Sequence, residues 1–596
     1  MRATRSSPHH SMSRLVLLFA LSFASHLAVG PAQATTYYVA NAGNNANAGT
    51  DSGHPFAFSP GMVGCDSACA GVTLAAGDSV LFNRGDRWRD TLTPTKSGVA
   101  GNPINFGAYG TGANPIISGS DQLFSWAAEG NAYYSSTATN QPGSILVDGS
   151  SRLTANVVSK ASLVPGQWFW EPSDHHVYVR LVGDSPPSGH VVESTQRRFG
   201  IDNNKQYLTF SNISVFGATS VGYYENGGIH SVLTSVSSTF SDNVGMLVRG
   251  AFPTYTNCTA SHNLGHGIET GNASTSAHDV ILKNPTTQFN GSSGMLIAGT
   301  VGVTINGGDS SFNGSASVEG NGIDVSSTGG VNAQDIIVNN FNGHDNKGQG
   351  FDAVGDNHPS GAVSITITGG SYYSNTGGPL LCSGIRLDTN TSNSIVQYVR
   401  SYSNQSAGIV LEDGAHDNKV TYNITYRNNN GITHSNNPGT GDVYYGNVAY
   451  ANTTDGFAVS IGTNPAIIEN NIFMNNGANG YQSDGGAHIV DYNIVFSNLD
   501  GNYSGISKPT HDINADPRFV NASGSDFRLQ SGSPAIGAGF NLGSPYNLGL
   551  NPSTTFPYGT LAQNSTHAGW DIGAFVYLPE TVAPVRSPTG VTAVAR

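Results

Sequence analysis

The chain has 596 residues, of which 76 are glycine and only 11% are charged, and its formal net charge is −14. The low charge and frequent apolar residues exclude a disordered or coiled-coil protein. The acidic balance argues against binding to nucleic acid or to anionic membranes. Aromatic and β-branched residues are common and helix-forming stretches are scarce, so the sequence predicts an all-β protein.

The N-terminus has the pattern of a secretory signal peptide. Arg2, Arg5 and Arg14 precede the apolar run 15–24, and Ala32-Gln33-Ala34 forms a small-x-small cleavage motif. The apolar run is too short to span a bilayer. We therefore predict a signal peptide over residues 1–34 and a secreted or periplasmic protein that is a monomer with no membrane partner.

Residues 35–120 are predicted to form an N-terminal cap and the first coils of a repeat. Cys65 and Cys69 lie there, separated by three residues, and we expect them to form a disulfide in an oxidising compartment. Cys258 and Cys382 are predicted to be free and partly buried.

Residues 121–200 interrupt the repeat and are interpreted as a small β insertion packed on the main body. The segment holds Trp168, Phe169, Trp170 and Tyr178. These aromatics could stack on sugar rings, but core packing is the favoured role.

Residues 201–510 carry the most informative pattern, in which an Asn is followed by a Gly and then an apolar anchor. The anchors recur every 22 to 34 residues: Met246, Ile268, Met295, Ile323, Phe351, Ile385, Ile409, Ile432, Phe457 and Tyr481. A single coil cannot bury its own apolar face, but stacked coils can, and Asn side chains can pair along the stack. The repeat predicts a right-handed parallel β-helix.

Residues 511–578 contain Ala515-Asp516-Pro517 and the motif Gly532-Ser533-Pro534-Ala535. This segment resembles the closing segment of bacterial β-helix enzymes that degrade polysaccharides. The resemblance implies a cap over the last coil that protects its edge. Residues 579–596 are predicted to be a tail or linker.

Alternation along each strand makes the residue after each anchor point outward. This outward column gathers Asp324, Asp352 and Arg386, and the next outward position adds Asp388 and Glu412. Coils in such a stack are about 4.8 Å apart, and like charges at that spacing are destabilising. The cluster therefore favours a functional site, with a solvated sheet face carrying scattered charges as the competing interpretation.

Glu412 is a candidate for substrate binding, together with five further residues, some on the same face and some in the turn before Asp352. They are Glu269, Arg249, His230, Lys347 and His344. For the last two, an ordinary surface turn is the main alternative.

Gly350-Phe351-Asp352, followed one coil later by Gly384-Ile385-Arg386-Leu387, resembles the strand pair of family-nine pectate lyases. The resemblance covers roughly residues 321–414. It implies that Asp352 is a calcium ligand and that Arg386 is the base that removes the proton next to a uronate carboxyl. The family has Asp-Asp where Gly348-Gln349 stand here and lysine where Arg386 stands, so calcium would depend on Asp324, Asp352 and Asp388.

The sequence thus predicts a polysaccharide lyase that cleaves a uronic-acid polymer by β-elimination. Its catalytic residues would be Arg386, Asp352, Asp324 and Asp388, with calcium as the cofactor and no organic cofactor. The alternative is an inverting glycoside hydrolase that uses the three aspartates as acid and base without a metal. A uronate epimerase and a non-catalytic carbohydrate-binding protein are further alternatives.

Overall fold

The computed structural model describes residues 34–271, 277–327, 331–354, 362–378, 380–435, 439–460, 464–483 and 486–579. The predicted signal peptide and tail lie outside these ranges, except for residues 34 and 579. In the described part of the chain, no helix is long and apolar enough to cross a membrane. One short α-helix spans Ser67–Ala70, and 3-10 turns span Lys160–Ser162, Val182–Asp184, Pro187–Gly189 and Ala522–Gly524.

The main body is a parallel β-solenoid, which confirms the all-β, parallel β-helix prediction. Its 28-stranded sheet consists of two ladders of parallel strands, and a 14-stranded sheet forms the third side. The strands of the first ladder are Phe199–Asn203, Val221–Ile229, Val244–Ala251, Ile268–Gly271, Met295–Ala298, Ile323–Ser326, Phe351–Val354, Ile385–Leu387, Ile409–Glu412, Ile432–Ser435, Phe457–Ser460, Asn479–Gln482 and Gly501–Ser504.

The other two sides follow the same stacking. The second ladder consists of Thr36–Val39, Ser79–Asn83, Ile104–Tyr109, Leu208–Ser211, Val232–Thr234, Thr254–Thr256, His278–Lys283, Val301–Asn306, Gln334–Asn339, Val363–Thr368, Ile395–Gln397, Lys419–Thr421, Val443–Tyr445, Ile467–Glu469 and Ile489–Asp491. The third sheet consists of Arg87–Trp88, Ile116–Ser118, Ser214–Phe216, Ser237–Thr239, Thr259–Ser261, Thr286–Gln288, Asp309–Ser311, Asn342–His344, Ser371–Tyr373, Arg400–Tyr402, Ile424–Tyr426, Val448–Tyr450, Ile472–Met474 and Ile494–Phe496.

The predicted anchors fill the interior. Phe351, Ile385 and Ile409 are completely buried in one continuous apolar core. The glycine before each anchor is required by the close approach of the next coil, since a Cβ on Gly350 would lie 2.7 Å from the carbonyl oxygen of Gly384. Stacked coils therefore exclude a side chain at this position.

A column of buried asparagines runs along one turn, as the repeat predicts. Each side-chain amide donates to the amide oxygen of the next coil at 2.8–3.3 Å, in the order Asn263, Asn290, Asn313, Asn346, Asn375, Asn404, Asn428, Asn452, Asn476 and Asn498. The pattern of an Asn followed by a Gly and an apolar anchor predicts Asn243 and Asn430 as members of this column, and both are wrong. Asn428 replaces Asn430 within a run of three asparagines, and Ser241 precedes the column where Asn243 was expected.

The region around residues 120–195 forms two small sheets, one antiparallel and one mixed. One consists of Ser120–Leu123, Ile145–Val147, Ser151–Arg152 and Val192–Thr195, and the other of Ala127–Glu129, Ala132–Ser135, Thr154–Ala155, Gln167–Glu171 and His176–Arg180. Trp168 and Tyr178 are buried in cores of their own, in line with packing as their role. Arg152 and Thr195 bind the carboxylate of Asp242 on the solenoid.

The C-terminal segment begins on the last coil, where Ile513 forms a parallel bridge with Ile494, and it then packs along the side of the solenoid. The outward-facing positions of the third sheet are apolar there, and they form one buried cluster with Phe527 and Leu550: Ile424, Val448, Ile472 and Ile494. This apolar strip needs cover, and the C-terminal segment provides it. The segment contributes two hairpin sheets, Phe519–Asn521 with Asp526–Leu529 and Leu548–Leu550 with Thr560–Ala562.

The cysteines behave as predicted. Cys65 and Cys69 form a disulfide, while Cys258 and Cys382 are free and buried. The domain boundaries themselves stay predictions.

Candidate functional site

One outward row of the first ladder carries the charged residues. The strand register pairs Leu296 with Asp324, Asp324 with Asp352, and Asp352 with Arg386. The row continues to Val410 on the next coil. This is the column that the alternation of side chains predicts.

Arg386 and Asp352 form a two-pronged ion pair at the centre of the row. Arg386 Nε donates to Asp352 Oδ1 at 2.8 Å, and Nη2 donates to Asp352 Oδ2 at 2.7 Å. The side chain of Asp352 is only 3% exposed and that of Arg386 is 17% exposed. A paired geometry of this kind in a nearly buried setting is among the stronger side-chain interactions.

Three more carboxylates surround the same guanidinium. Nη1 of Arg386 lies 3.5 Å from Asp388 Oδ2 and 3.7 Å from Glu412 Oε1, and Nη2 lies 3.9 Å from Glu319 Oε1. We call Arg386, Asp352, Asp388, Glu412 and Glu319 the Arg386 cluster. One cation thus faces four carboxyl groups on adjacent coils.

Asp324 is attached to the cluster through an amide. Asn321 Nδ2 donates to Asp352 Oδ2 at 3.2 Å and lies 3.5 Å from Asp324 Oδ2. Ser293 Oγ contacts the same oxygen of Asp324 at 3.4 Å. Asn321 therefore fixes the two neighbouring aspartates relative to each other.

Gln349 stands where the resembling lyases carry an aspartate, and it holds two turns together. Its backbone N–H donates to Asn321 Oδ1 at 2.6 Å, and its Nε2 donates to the Leu381 carbonyl at 3.0 Å. Its Oε1 accepts from the backbone N–H of Ser383. The amide supplies both a donor and an acceptor here, which a carboxylate could not.

The ionisable groups of the cluster respond to burial and to one another. Burial lowers the pKa of Arg386, but the charges of Asp352, Asp388 and Glu319 outweigh it and hold that pKa above its ordinary value. Burial, together with the charge of Asp388, raises the pKa of Glu412 to about 7 despite the opposing effect of Arg386. Burial and Asp352 likewise raise the pKa of Glu319. The cluster therefore holds a fixed cation beside a carboxyl group that is half protonated near neutral pH.

The calcium site implied by the sequence resemblance does not fit this arrangement. Both oxygens of Asp352 point at Arg386, and Asp324 is bonded through Asn321 and Ser293. Within the described ranges, no three His, Cys, Asp or Glu side chains converge as a metal site requires. The guanidinium occupies the position of the cation among these carboxylates.

Of the predicted substrate-binding residues, Glu269 and Arg249 lie on the same face as the cluster. Glu269 belongs to the same row and pairs with Leu296, the neighbour of Asp324. Burial raises its pKa, and Arg249 opposes this shift. Arg249 Nη1 donates to the hydroxyl of Tyr224 at 3.2 Å.

His230 does not lie in this row. Tyr224 pairs with Leu247 and takes the position that was expected for His230. The strand Val221–Ile229 is long and its register shifts between Asn226 and Ile229, so His230 lies in the corner that follows, stacked between Tyr207 and Phe252.

His344 is placed away from the cluster, whereas Lys347 lies in a turn beside it. His344 lies in the third sheet, where Nε2 contacts Asp309 at 2.9 Å and Nδ1 contacts Asp345 at 2.7 Å. Lys347 lies in the turn that follows and donates to the Thr376 carbonyl at 3.2 Å. His344 lies one corner before the first-ladder strand and therefore on another side of the coil, while Gly348, next to Lys347, lies against Glu319 of the cluster.

Sequence reasoning missed Glu319, Asn321, Gln349 and Asp413. Asp413 lies directly after the strand that carries Glu412, and burial and Asp388 raise its pKa. All four residues lie in turns beside the strands, and alternation predicts side-chain direction only within strands. Their one signal was proximity to the charged column in the stacked coils.

No protein-family model matches the chain, and no curated protein gives a significant match. Solved structures do resemble it. They include a glycoside hydrolase (TM-score 0.48, 9% identity, 69% of this chain and 96% of its own) and XylC in complex with xylose (TM-score 0.46, 12% identity, 80% and 87%). The pectate lyase Pel9A matches over 91% of this chain and 96% of its own, with a TM-score of 0.32 and 16% identity. The neighbours therefore include a pectate lyase, as the sequence resemblance anticipated, but at these values no activity transfers to this chain.

Proposed function

We propose that the protein hydrolyses glycosidic bonds in a neutral or weakly charged polysaccharide. The observation that carries the proposal is the Arg386 cluster itself, in which Asp388 and Glu412 face one guanidinium nitrogen from adjacent coils. Glycosidases use a pair of carboxyl groups in different protonation states, one as an acid and the other as a base or nucleophile. Glu412 is suited to be the acid and Asp388 to be its partner.

The excess of carboxyl groups in the Arg386 cluster supports a neutral substrate. One arginine faces the carboxyl groups of Asp352, Asp388, Glu412 and Glu319 within 4 Å. A uronate chain would add its own negative charges to this surface and would be repelled. A neutral sugar escapes that repulsion and offers hydroxyl groups that donate to carboxylates.

In this scheme, protonated Glu412 gives its proton to the glycosidic oxygen as the bond breaks. Asp388 either takes a proton from the water molecule that attacks the sugar carbon, or attacks that carbon itself before water releases the sugar. Arg386 Nη1 lies 3.5 Å from its Oδ2. Asp352 holds the guanidinium in place through both oxygens. Asp324 and Asn321 fix Asp352 from the opposite side.

The second candidate is β-elimination, favoured by the register of Asp352 and Arg386 on adjacent coils. Arg386 would then bind the uronate carboxylate. It is unsuited to be the base, because the surrounding carboxylates stabilise its charged form.

A polysaccharide panel separates the two chemistries. The protein is incubated, with and without chelator, with arabinoxylan, mixed-linkage β-glucan, galactomannan, polygalacturonate and alginate. The release of reducing ends and the absorbance of unsaturated uronates are followed in each sample. New ends on a neutral polymer without absorbance support hydrolysis. New ends accompanied by absorbance support elimination and contradict the hydrolase proposal.

Glu412→Gln tests the assignment of the acid. We expect kcat to fall by about 10²- to 10⁴-fold, the usual contribution of general acid catalysis. Glu469→Gln is the matched control, since Glu469 is also a half-buried glutamate with a raised pKa but lies in the second ladder. Equal activity of both variants would remove Glu412 from the mechanism.

A further inference from the structure

Asp388 and Glu412 each begin a four-residue turn at the same corner of adjacent coils. The two turns span residues 388–391 and 412–415, and the residues just before them are paired in the strand register. In each turn the carbonyl of the first residue accepts from the N–H of the fourth, at 3.0 Å in the first turn and 3.1 Å in the second. The two central residues have φ of 37° and 60° in the first turn and of 49° and 85° in the second. Positive φ at both central positions is typical of a type I′ turn.

The second position of the first turn holds Thr389, which this backbone disfavours. Type I′ turns favour Asn, Asp and Gly at their centre, and the second turn has Asp413 and Gly414 there. Thr389 combines a branched Cβ with a φ of 37°, which makes it an outlier among residues of its type. Backbone strain of this kind concentrates at functional sites. The choice of threonine here therefore requires a reason.

The contacts of Thr389 with Asp388 give that reason. Thr389 Oγ1 donates to Asp388 Oδ1 at 3.0 Å, and the backbone N–H of Thr389 donates to the same oxygen at 2.5 Å. The other oxygen, Oδ2, faces Arg386 Nη1 at 3.5 Å. The Asp388 residue is only 7% exposed, so water contributes little to its solvation. One residue thus binds one oxygen twice and leaves Oδ2 as the oxygen that can act.

The charged groups around Asp388 are Arg386, Glu412 and Asp413. Arg386 favours the charged carboxylate, but it also serves Asp352 through two hydrogen bonds. The two acids oppose that charge, since the negative charge of Asp388 contributes to the raised pKa of both Glu412 and Asp413. Hydrogen bonds donated to a carboxylate favour its charged form. Thr389 supplies two of them on the oxygen opposite to Oδ2.

The equivalent position in the second turn has the opposite effect. Asp413 follows Glu412 as Thr389 follows Asp388, and a charged carboxylate cannot donate a hydrogen bond. The charge of Asp413 contributes to the raised pKa of Glu412. A donor therefore follows the carboxyl group that must stay charged, and an acid follows the one that must hold a proton.

We propose that Thr389 is the positioning residue that keeps Asp388 charged and turns its Oδ2 toward the substrate. The inference rests on the proposed function, in which Asp388 is the partner of the acid Glu412. Two carboxyl groups at equivalent places on adjacent coils thereby acquire different roles, as a glycosidase requires. The strained backbone at Thr389 is what brings both of its donors to one oxygen.

The pH dependence of kcat/KM on the neutral polymer that the parent cleaves tests the inference. Thr389→Val should move the acid limb of the profile to higher pH by about one unit, because the lost hydrogen bond favours the charged carboxylate. Thr389→Ser, which keeps the hydroxyl, should follow the parent. Thr391→Val is the matched control, since the Thr391 hydroxyl lies in the same turn but donates to the main-chain carbonyl of Asp388, at 2.6 Å. Its acid limb should stay in place.

Thr389→Gly provides a second variant without the hydroxyl. Glycine adopts positive φ without strain, so this variant keeps the turn even if valine disturbs it. It should show the same shift of the acid limb as Thr389→Val. An unchanged acid limb in both variants of an active parent would overturn the inference and leave the hydrolase proposal standing.

Denaturant midpoints at pH 3.5 and pH 7 test Thr389 without any substrate. Thr389→Val should lose more stability at pH 7 than at pH 3.5, because the hydroxyl stabilises a charge that disappears as the pH falls. Thr391→Val should lose the same amount at both, since a carbonyl does not titrate. The larger loss at pH 7 would uphold the inference even if the parent cleaves no polymer, a result that contradicts the proposed function. Equal losses of Thr389→Val at the two pH values would overturn it.

Discussion

Two glutamates of the first ladder share a raised pKa of about 7 but owe it to different surroundings. Glu225 lies inside the solenoid, where burial raises its pKa and the hydroxyls of Tyr255 and Tyr223 oppose the shift. Glu412 lies outside, where burial acts together with Asp388 and against Arg386. A raised pKa is therefore no mark of a reactive site by itself, and the charged neighbours of Glu412 make the distinction.

The two sites also differ in what balances the carboxyl group. Glu225 Oε2 accepts from Tyr255 Oη at 3.0 Å and from Tyr223 Oη at 3.3 Å, so its partners are neutral. The outer site depends on the charge of Arg386. A carboxyl group with neutral partners can be protonated without leaving a charge unpaired. In a buried pair of a cation and an anion, each charge stabilises the other. The stability of the protein should therefore depend on pH through the interior site, and on the presence of the Arg386 cation through the outer site.

The largest effect is expected from Arg386→Met. It leaves Asp352 nearly buried without a counter-charge, and such a loss costs about 3 to 5 kcal/mol of stability. Denaturant midpoints at pH 7 would measure it. Lowering the pH should restore part of the loss, because the carboxyl groups of the cluster then take up protons.

Arg528→Met provides the control for this comparison. Arg528 holds Asp526 through the same pair of nitrogens, at 2.8 and 2.6 Å, but its side chain is 42% exposed. An exposed pair is worth at most about 1 kcal/mol. A similar midpoint for both variants would show that the outer cluster is not held by its cation.

The repeat of Asn, Gly and apolar anchors was enough to predict the parallel β-helix and the row Asp324, Asp352 and Arg386. The two-residue period of a strand determines the face to which each side chain points, so residues on stacked strands could be aligned by counting from each apolar anchor. Turns have no such period, which is why Glu319 and Gln349 were missed. His344 was assigned to a turn, whereas it ends a strand of the third sheet. Glu225 could not be predicted either, because the sequence aligned its coil at His230, whereas the structure aligns it at Tyr224 and places Glu225 inward between Asn203 and Val248.

Glu225→Gln tests the interior site and should stabilise the protein at alkaline pH. The pKa of Glu225 is about 7 in the folded protein against 4.5 for an ordinary glutamate, so folding retains a proton that the unfolded chain releases. Stability then falls as the pH rises from about 4.5 and levels off above about 7. Glutamine removes this dependence, with a gain of up to about 3 kcal/mol at pH 8.

Denaturant midpoints between pH 4 and 9 measure the effect. The parent should show the decline and Glu225→Gln a flatter profile, while the exposed Asp500→Asn should follow the parent. Parallel profiles for the parent and Glu225→Gln would mean that Glu225 does not hold the proton.

Tyr255→Phe should have a smaller effect in the opposite direction. The Tyr255 hydroxyl lowers the pKa of Glu225, so its removal raises that pKa and extends the decline of stability beyond pH 7. We expect a loss of about 1 kcal/mol at pH 8, the net value of one hydrogen bond, and less at pH 5. In the Glu225→Gln background the pH-dependent part should vanish, because no ionisable group remains for the hydroxyl to stabilise. If it persists there, the pH-dependent part does not come from Glu225, and the Tyr255 hydroxyl does not act through the pKa of that glutamate.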